Sequence, residues 1–167
     1  MLAVVVRFRA LRVGELDAAL THDYDIVPVA EHPALQSTTI LIESMYLASS
    51  RPPDDADDPV GSFRTDEWIM GSPGTLCRLA TERICQQAGF QPRVRHQIDD
   101  FGTVLALVAA GQGAAVIPRL GTAVAPPGVV FTRLPVIRRT HLSHRRGSHD
   151  HPAVAAFHRA VAAAVTR

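Results

Sequence analysis

Ser72-Pro73-Gly74-Thr75 stands between an apolar run, Trp68-Ile69-Met70, and the start of a helical pattern. A helix N-terminus carries N–H groups without intrahelical partners and the positive end of the helix dipole. Such a loop is suited to hold an anion, typically a carboxylate. Pro73 fits a first helical turn, where its missing N–H costs nothing. Asp100-Phe101-Gly102-Thr103 repeats the arrangement at the next strand-to-helix junction. In doubly wound sheets a ligand sits at the carboxyl ends of strands, and both stretches stand at such an end. Both also read as plain helix caps, with Asp99 or Asp100 accepting from first-turn N–H groups and Phe101 in the core.

His141, His144, His149 and His151 lie close together in sequence, and neutral imidazole binds metals. The stretch also carries Arg145 and Arg146 and no Cys. Strand spacing sends His141 and His144 to opposite faces. The better reading is a solvated loop, with no metal and no cofactor. Cys77 and Cys85 fall on one predicted helix, about 12 Å apart at 1.5 Å per residue. That is too far for a disulfide, so they read as small apolar residues of a reduced compartment, with redox sensing as the sharper alternative. The chain has no Gly-x-Ser-x-Gly elbow, H-E-x-x-H pair or Walker loop, so catalysis finds no support. Asp54, Asp55, Asp57 and Asp58 read as a solvated linker.

The elements that would position these residues alternate between strand and helix. Strands are predicted at Val4–Phe8, Leu16–Leu20, Ile26–Val29 and Thr38–Ser49, with a turn of helix at Arg9–Val13 and a loop at Thr21, His22 and Asp23. A proline-broken polar connection spans Arg51–Asp66. A strand at Trp68–Met70 leads into a helix ending near Ala88, with Leu76, Leu79, Ala80 and Ile84 on one face. Gly89 and Pro92 stop it. A strand at Arg93–Ile98 precedes a compact unit, Asp99 to Arg119. There a capped helix with Val104, Leu105, Leu107 and Val108 inward ends at Gly111 and Gly113. A buried strand, Ala114–Ile117, follows and closes at Pro118. Val129–Leu134 is a further strand and Arg139–His144 a return connection. Val154, Phe157, Val161 and Val165 mark a terminal amphipathic helix. The alternation argues an α/β fold with mainly parallel sheets.

Composition bounds the rest. The 167 residues are 47% hydrophobic and 20% charged with net charge +1, as for a globular chain able to bury a core. All 17 basic residues are Arg, scattered rather than clustered, which gives no nucleic-acid footprint. No apolar run spans a bilayer. Met1–Val6 lacks the charge order of a secretory signal, which points to the cytoplasm.

Several motifs, in order, resemble the effector-binding domain of LysR-type transcriptional regulators. The closest stretch is D-D-F-G-T-V-L-A-L-V-A-A-G-Q-G-A-A-V-I-P-R, Asp99 to Arg119. L-R-V-G-E-L-D-A-A-L (Leu11–Leu20), Y-L-A-S-S-R-P-P (Tyr46–Pro53) and D-E-W-I-M-G-S-P-G-T (Asp66–Thr75) are similar to further family segments. So are Q-A-G-F-Q-P-R-V (Gln87–Val94) and H-P-A-V-A-A-F-H-R-A-V (His151–Val161). The resemblance covers nearly the whole chain from about Leu11.

The resemblance implies a two-lobed fold of the type 2 periplasmic-binding-protein kind, with a small organic effector in the cleft. Residues 1–50 with 139–167 would form lobe I, 51–66 the crossover and 67–138 lobe II. Ser72, Pro73, Gly74 and Thr75, with Asp100, Phe101, Gly102 and Thr103, would line the cleft from lobe II. Thr21 and His22 would reach it from lobe I, the alternative for these two being an exposed loop. The effector is expected to carry a carboxylate. The domain is expected to form a homodimer or tetramer in a full-length parent. DNA would be reached only through a winged helix that finds no counterpart in these residues. The first strand and helix of lobe I also find none, which leaves lobe I incomplete. Two other readings stand: a solute-binding protein of the transport type, and a truncated remnant without function.

Overall fold

The computed structural model describes residues 9–29 and 32–165. The strand expected at Val4–Phe8 lies outside them. Residues 9–13 are helical, and Gly14 turns the chain at φ +82°. Strand β1 (Ala18–Tyr24) follows, then the long β2 (Leu35–Ser49). A short 3-10 turn, Gly61–Phe63, precedes β3 (Glu67–Met70). Helix α1 (Leu76–Gln87), β4 (Arg93–Gln97), helix α2 (Phe101–Ala109) and β5 (Ala115–Pro118) come next. A second 3-10 segment, Arg119–Val124, leads to β6 (Val130–Arg145), and helix α3 (Pro152–Val165) ends the described chain.

The sheet order departs from the parallel expectation. One sheet has the order β1-β6-β2-β5, and each of its pairings is antiparallel. Among the described residues, only β3 and β4 pair in parallel, joined by a parallel bridge from Trp68 to Ala114. The cause is the length of β2 and β6, 15 and 16 residues. Both run past β1 at one end and past β5 at the other. Arg139–His144, read from sequence as a return connection, is the paired second half of β6. Its polar side chains are met by polar neighbours: Thr21 opposes His141 and His22 opposes Thr140.

The core follows from apolar residues on facing elements. Trp68 is fully buried, donates Nε1–H to the Phe63 carbonyl at 3.2 Å and stands 5.9 Å from the Phe90 ring. Phe63 and Val60 belong to the same cluster, so the Arg51–Asp66 connection contributes to the core rather than merely spanning it. Arg51 lies over the Phe63 ring and bonds Asp54, Asp66 and the Ser62 carbonyl. A second cluster packs Val104, Leu105 and Val108 of α2 against Ile69, Ala48, Ala115 and Ile117. On α1 the buried residues are Ala80, Thr81, Ile84 and Cys85; Leu79, expected inward, is exposed.

Gly111 and Gly113 act as the motif demands. Gly111 takes φ +67° past the end of α2 and Gly113 takes φ +150°. A Cβ on Gly113 would lie 2.6 Å from the Glu67 carbonyl oxygen. Only glycine lets the chain approach closely enough for Ala114 N–H to reach that oxygen at 2.9 Å.

Candidate functional site

Both helix-cap expectations have a definite geometry. Thr75 caps α1, its hydroxyl oxygen accepting from Arg78 N–H at 3.2 Å and its proton going to the Ser72 carbonyl at 2.8 Å. Asp100 caps α2, accepting from the N–H and hydroxyl of Thr103, each at 2.8 Å. These bonds hold the Asp100 carboxyl below its ordinary range. Asp99 reaches sideways instead: it accepts from the Ser72 hydroxyl at 2.7 Å and from the Ser72 N–H at 2.8 Å. These two bonds pull the Asp99 carboxyl down in turn. The loop expected to receive an anion therefore receives one from its own chain.

A cavity of about 380 Å³ opens beside this loop. One wall is built by the start of α1 (Gly71, Thr75, Cys77) and of α2 (Asp99, Phe101, Val104). Its apolar floor comes from Ile69, Met70, Ile98 and Val116. The opposite wall is polar and comes from β1 and β6: Thr21, His22, Tyr24 and Arg138.

Of the residues expected from sequence, Thr21, His22, Thr75 and Phe101 line this cavity. Ser72, Pro73, Gly74, Asp100, Gly102 and Thr103 lie beside it, outside the lining. Thr21 and His22 are not in a loop; they sit within β1, because pairing with β6 extends the strand to Tyr24. The Thr21 hydroxyl is 2.8 Å from that of Ser143, and His22 Nδ1 is 3.0 Å from the Thr140 hydroxyl.

Sequence reasoning missed Asp99 as a cavity residue, and Tyr24 and Arg138 altogether. Tyr24 lines the cavity with Arg138 and Cys77, and burial, followed by Cys77, raises its phenol. Burial also raises the Cys77 thiol. Arg138 holds Glu43 through Nε at 3.0 Å and Nη2 at 2.6 Å, and the other Glu43 oxygen accepts from Leu120 N–H at 2.9 Å. The sequence offered a weak signal, since Arg138 ends the apolar run Leu134-Pro135-Val136-Ile137 but is followed by Arg139, and its partner is 95 residues away.

The histidines do not converge. His141 bonds Asp23 at 2.6 Å and Thr39 at 3.1 Å, His144 bonds the Arg145 carbonyl, and His149 pairs with Asp150. Among the described residues, no three metal-ligating side chains come together. No helix there is long and apolar enough to cross a membrane.

Comparison with known proteins fits this architecture. The LysR substrate binding domain model matches residues 6–166. The HTH-type transcriptional regulator ShiR of Corynebacterium glutamicum (strain R) is 29% identical over 125 residues, covering 72% of this chain and 41% of that protein. The matched stretch thus spans well under half the length of that relative. The Synechocystis PCC6803 CcmR regulatory domain in complex with 2-PG superposes with TM-score 0.71 at 16% identity, covering 97% of this chain and 79% of that one. The BenM effector binding domain with its effector benzoate superposes with TM-score 0.61 at 17% identity, covering 85% and 66%. The fold is that of these effector-binding domains, mixed α/β and periplasmic-binding-protein-like. With sheet order, glycine turns and cavity all in place, the chain belongs to the LysR substrate-binding domain family.

Proposed function

We propose that this chain is the effector-sensing domain of a cytoplasmic LysR-type transcriptional regulator, closing on a small organic molecule in the cavity between β1–β6 and the starts of α1 and α2. The observation that carries this reading is the cavity itself, polar on one wall and largely apolar on the other, in a chain of this family. Two solved relatives hold benzoate and 2-PG. In this reading residues up to 50 with 139–167 form one lobe, 67–138 the other, and 51–66 connect them. Thr21, His22, Thr75 and Phe101 contact the ligand directly, while Ser72, Pro73, Gly74, Asp100, Gly102 and Thr103 shape the loops behind them.

A carboxylate on the effector belongs to this reading, and its place is the wall of Tyr24 and Arg138. Binding favours the closed arrangement of the lobes, and closure shifts the arrangement of a dimer. DNA is contacted by a winged helix beyond these residues. The test is a melting screen against small organic acids, alcohols and amines. A saturable rise in melting temperature that Arg138→Met abolishes supports sensing in this cavity. A rise indifferent to that change, in a variant that still folds, counts against it.

A further inference from the structure

On the helix-start wall of the cavity, every hydroxyl proton is already committed. Thr75 donates to the Ser72 carbonyl and Thr81 to the Cys77 carbonyl at 3.0 Å, while Ser72, beside the wall, donates to Asp99. Just outside, Thr103 donates to Asp100. Among its side chains, what this wall leaves open is acceptor capacity, chiefly on Asp99, which lines the cavity and whose two oxygens each take one hydrogen bond from Ser72. A carboxylate oxygen has room for a second. The wall is also compact: a Cβ built on Gly71 would lie 3.2 Å from both Asp99 Oδ1 and Thr75 Oγ1. A ligand carboxylate at the start of α1 would therefore stand close to an ionised carboxylate. Such like-charge proximity is unfavourable even where water screens it. Arg138 does not offset this at the loop, since it belongs to the opposite wall with Thr21, His22 and Tyr24.

We infer that Asp99 is the specificity-determining residue of the cavity: it selects an effector that brings a proton donor, an ammonium or a hydroxyl, to the Ser72–Thr75 loop, and it rejects an anionic group there. This rests on the effector-sensing reading above. The apolar body of such a ligand packs on Ile69, Met70, Ile98, Phe101 and Val104. Any anionic group it carries lies at the far wall, by Tyr24 and Arg138. The expectation that the Ser72–Thr75 loop receives the effector's carboxylate is replaced by the opposite polarity.

Three probes of one ring and similar size separate the cases: benzylamine, benzyl alcohol and benzoate, titrated at neutral pH into the full chain and followed by amide resonances. Benzylamine and benzyl alcohol are expected to bind more tightly than benzoate and to shift the resonances of residues 71–77 and 99–101. Asp99→Asn keeps an acceptor for Ser72 N–H while removing the charge. It is expected to weaken benzylamine at least tenfold, to change benzyl alcohol less and to strengthen benzoate. Benzoate binding most tightly to the unaltered chain, or benzylamine affinity unchanged by Asp99→Asn, overturns the role of Asp99 and leaves the sensing reading standing. If none of the three perturbs cavity resonances at millimolar concentration in either protein, the sensing reading itself fails.

Discussion

Arg138 and Glu43 form an ion pair inside the molecule, with Nη2 and Oε1 2.6 Å apart and side chains 10% and 1% exposed. The two residues face each other across β6 and β2. Charges so placed lose much of their hydration, and their mutual attraction and hydrogen bonds offset that loss only while both are present. Glu43 also anchors the turn after β5 through Leu120 N–H. The pair thus ties the polar wall of the cavity to the segment that leaves β5.

Removing one partner strands the other. Arg138→Met is expected to cost about 3–5 kcal/mol of unfolding free energy, because Glu43 is left buried without its cation. The double variant Glu43→Leu with Arg138→Met is expected to recover most of that loss. Urea unfolding of the single and double variants measures both. A double variant as unstable as the single one would show that the geometry of Leu120, rather than the stranded charge, dominates.

The two glycines of the turn before β5 differ in what they allow. Gly111 has open space around a built Cβ, whereas Gly113 would press one against Glu67. Gly111→Ala is expected to cost about 1 kcal/mol, the strain of a left-handed alanine. Gly113→Ala adds a collision that breaks the bridge between Trp68 and Ala114, for about 2 kcal/mol or more. Thermal melting of the two variants gives the order directly.

The acid limb of stability has two named contributors. The carboxyls of Asp99 and Asp100 are both lowered in the folded protein, by hydrogen bonds from Ser72 and from Thr103. A lowered folded pKa means the folded state holds fewer protons. The stabilisation is therefore full above the unfolded carboxylate range and is lost as pH falls through the lowered values. Melting temperature is expected to fall below about pH 4, the ordinary carboxylate value. Asp99→Asn is expected to flatten that fall. An unchanged acid limb in the variant would mean that the Ser72 bonds carry no net stability.

Neither cysteine is poised to react. Burial, with a smaller effect from Glu82, raises the Cys85 thiol to about 12, and burial raises Cys77 as well. The thiolate is the reactive form, so alkylation by iodoacetamide at pH 8 is expected to be slow in the folded chain and rapid in urea. Mass spectrometry counts the adducts. Fast native labelling of Cys77 would revive the redox reading that its setting argues against.

The legible parts of this fold were local. The cap at Asp100, the turn at Gly111 and Gly113, the four buried residues of β5 and the stop at Pro118 each depend on residues a few positions apart. The second half of β6 was illegible for the opposite reason. Arg139, Thr140, His141 and Ser143 look like loop because no apolar alternation marks them. What holds them as strand is hydrogen-bonded pairing on both sides, with β1 and with β2. The cavity divides in the same way. Thr75 and Phe101 follow from helix starts, which sequence shows. Tyr24 and Arg138 enter the cavity only because β1 lies beside β6, a pairing of residues more than 110 positions apart. Asp99 was seen as a cap candidate, and its actual partner, Ser72, is 27 residues away.

β2 and β6 pass the cavity as one unbroken ribbon, so its two walls are not hung on a slack joint. Altering the gap between them means winding or unwinding that ribbon, and each ladder hydrogen bond along it resists. The ladder is irregular at two places, between Thr39 and Leu41 and between Ser44 and Tyr46. Bulged positions take up twist most readily. The Glu43–Arg138 pair sits between them, so the ribbon that backs the cavity changes twist on either side of one buried ion pair.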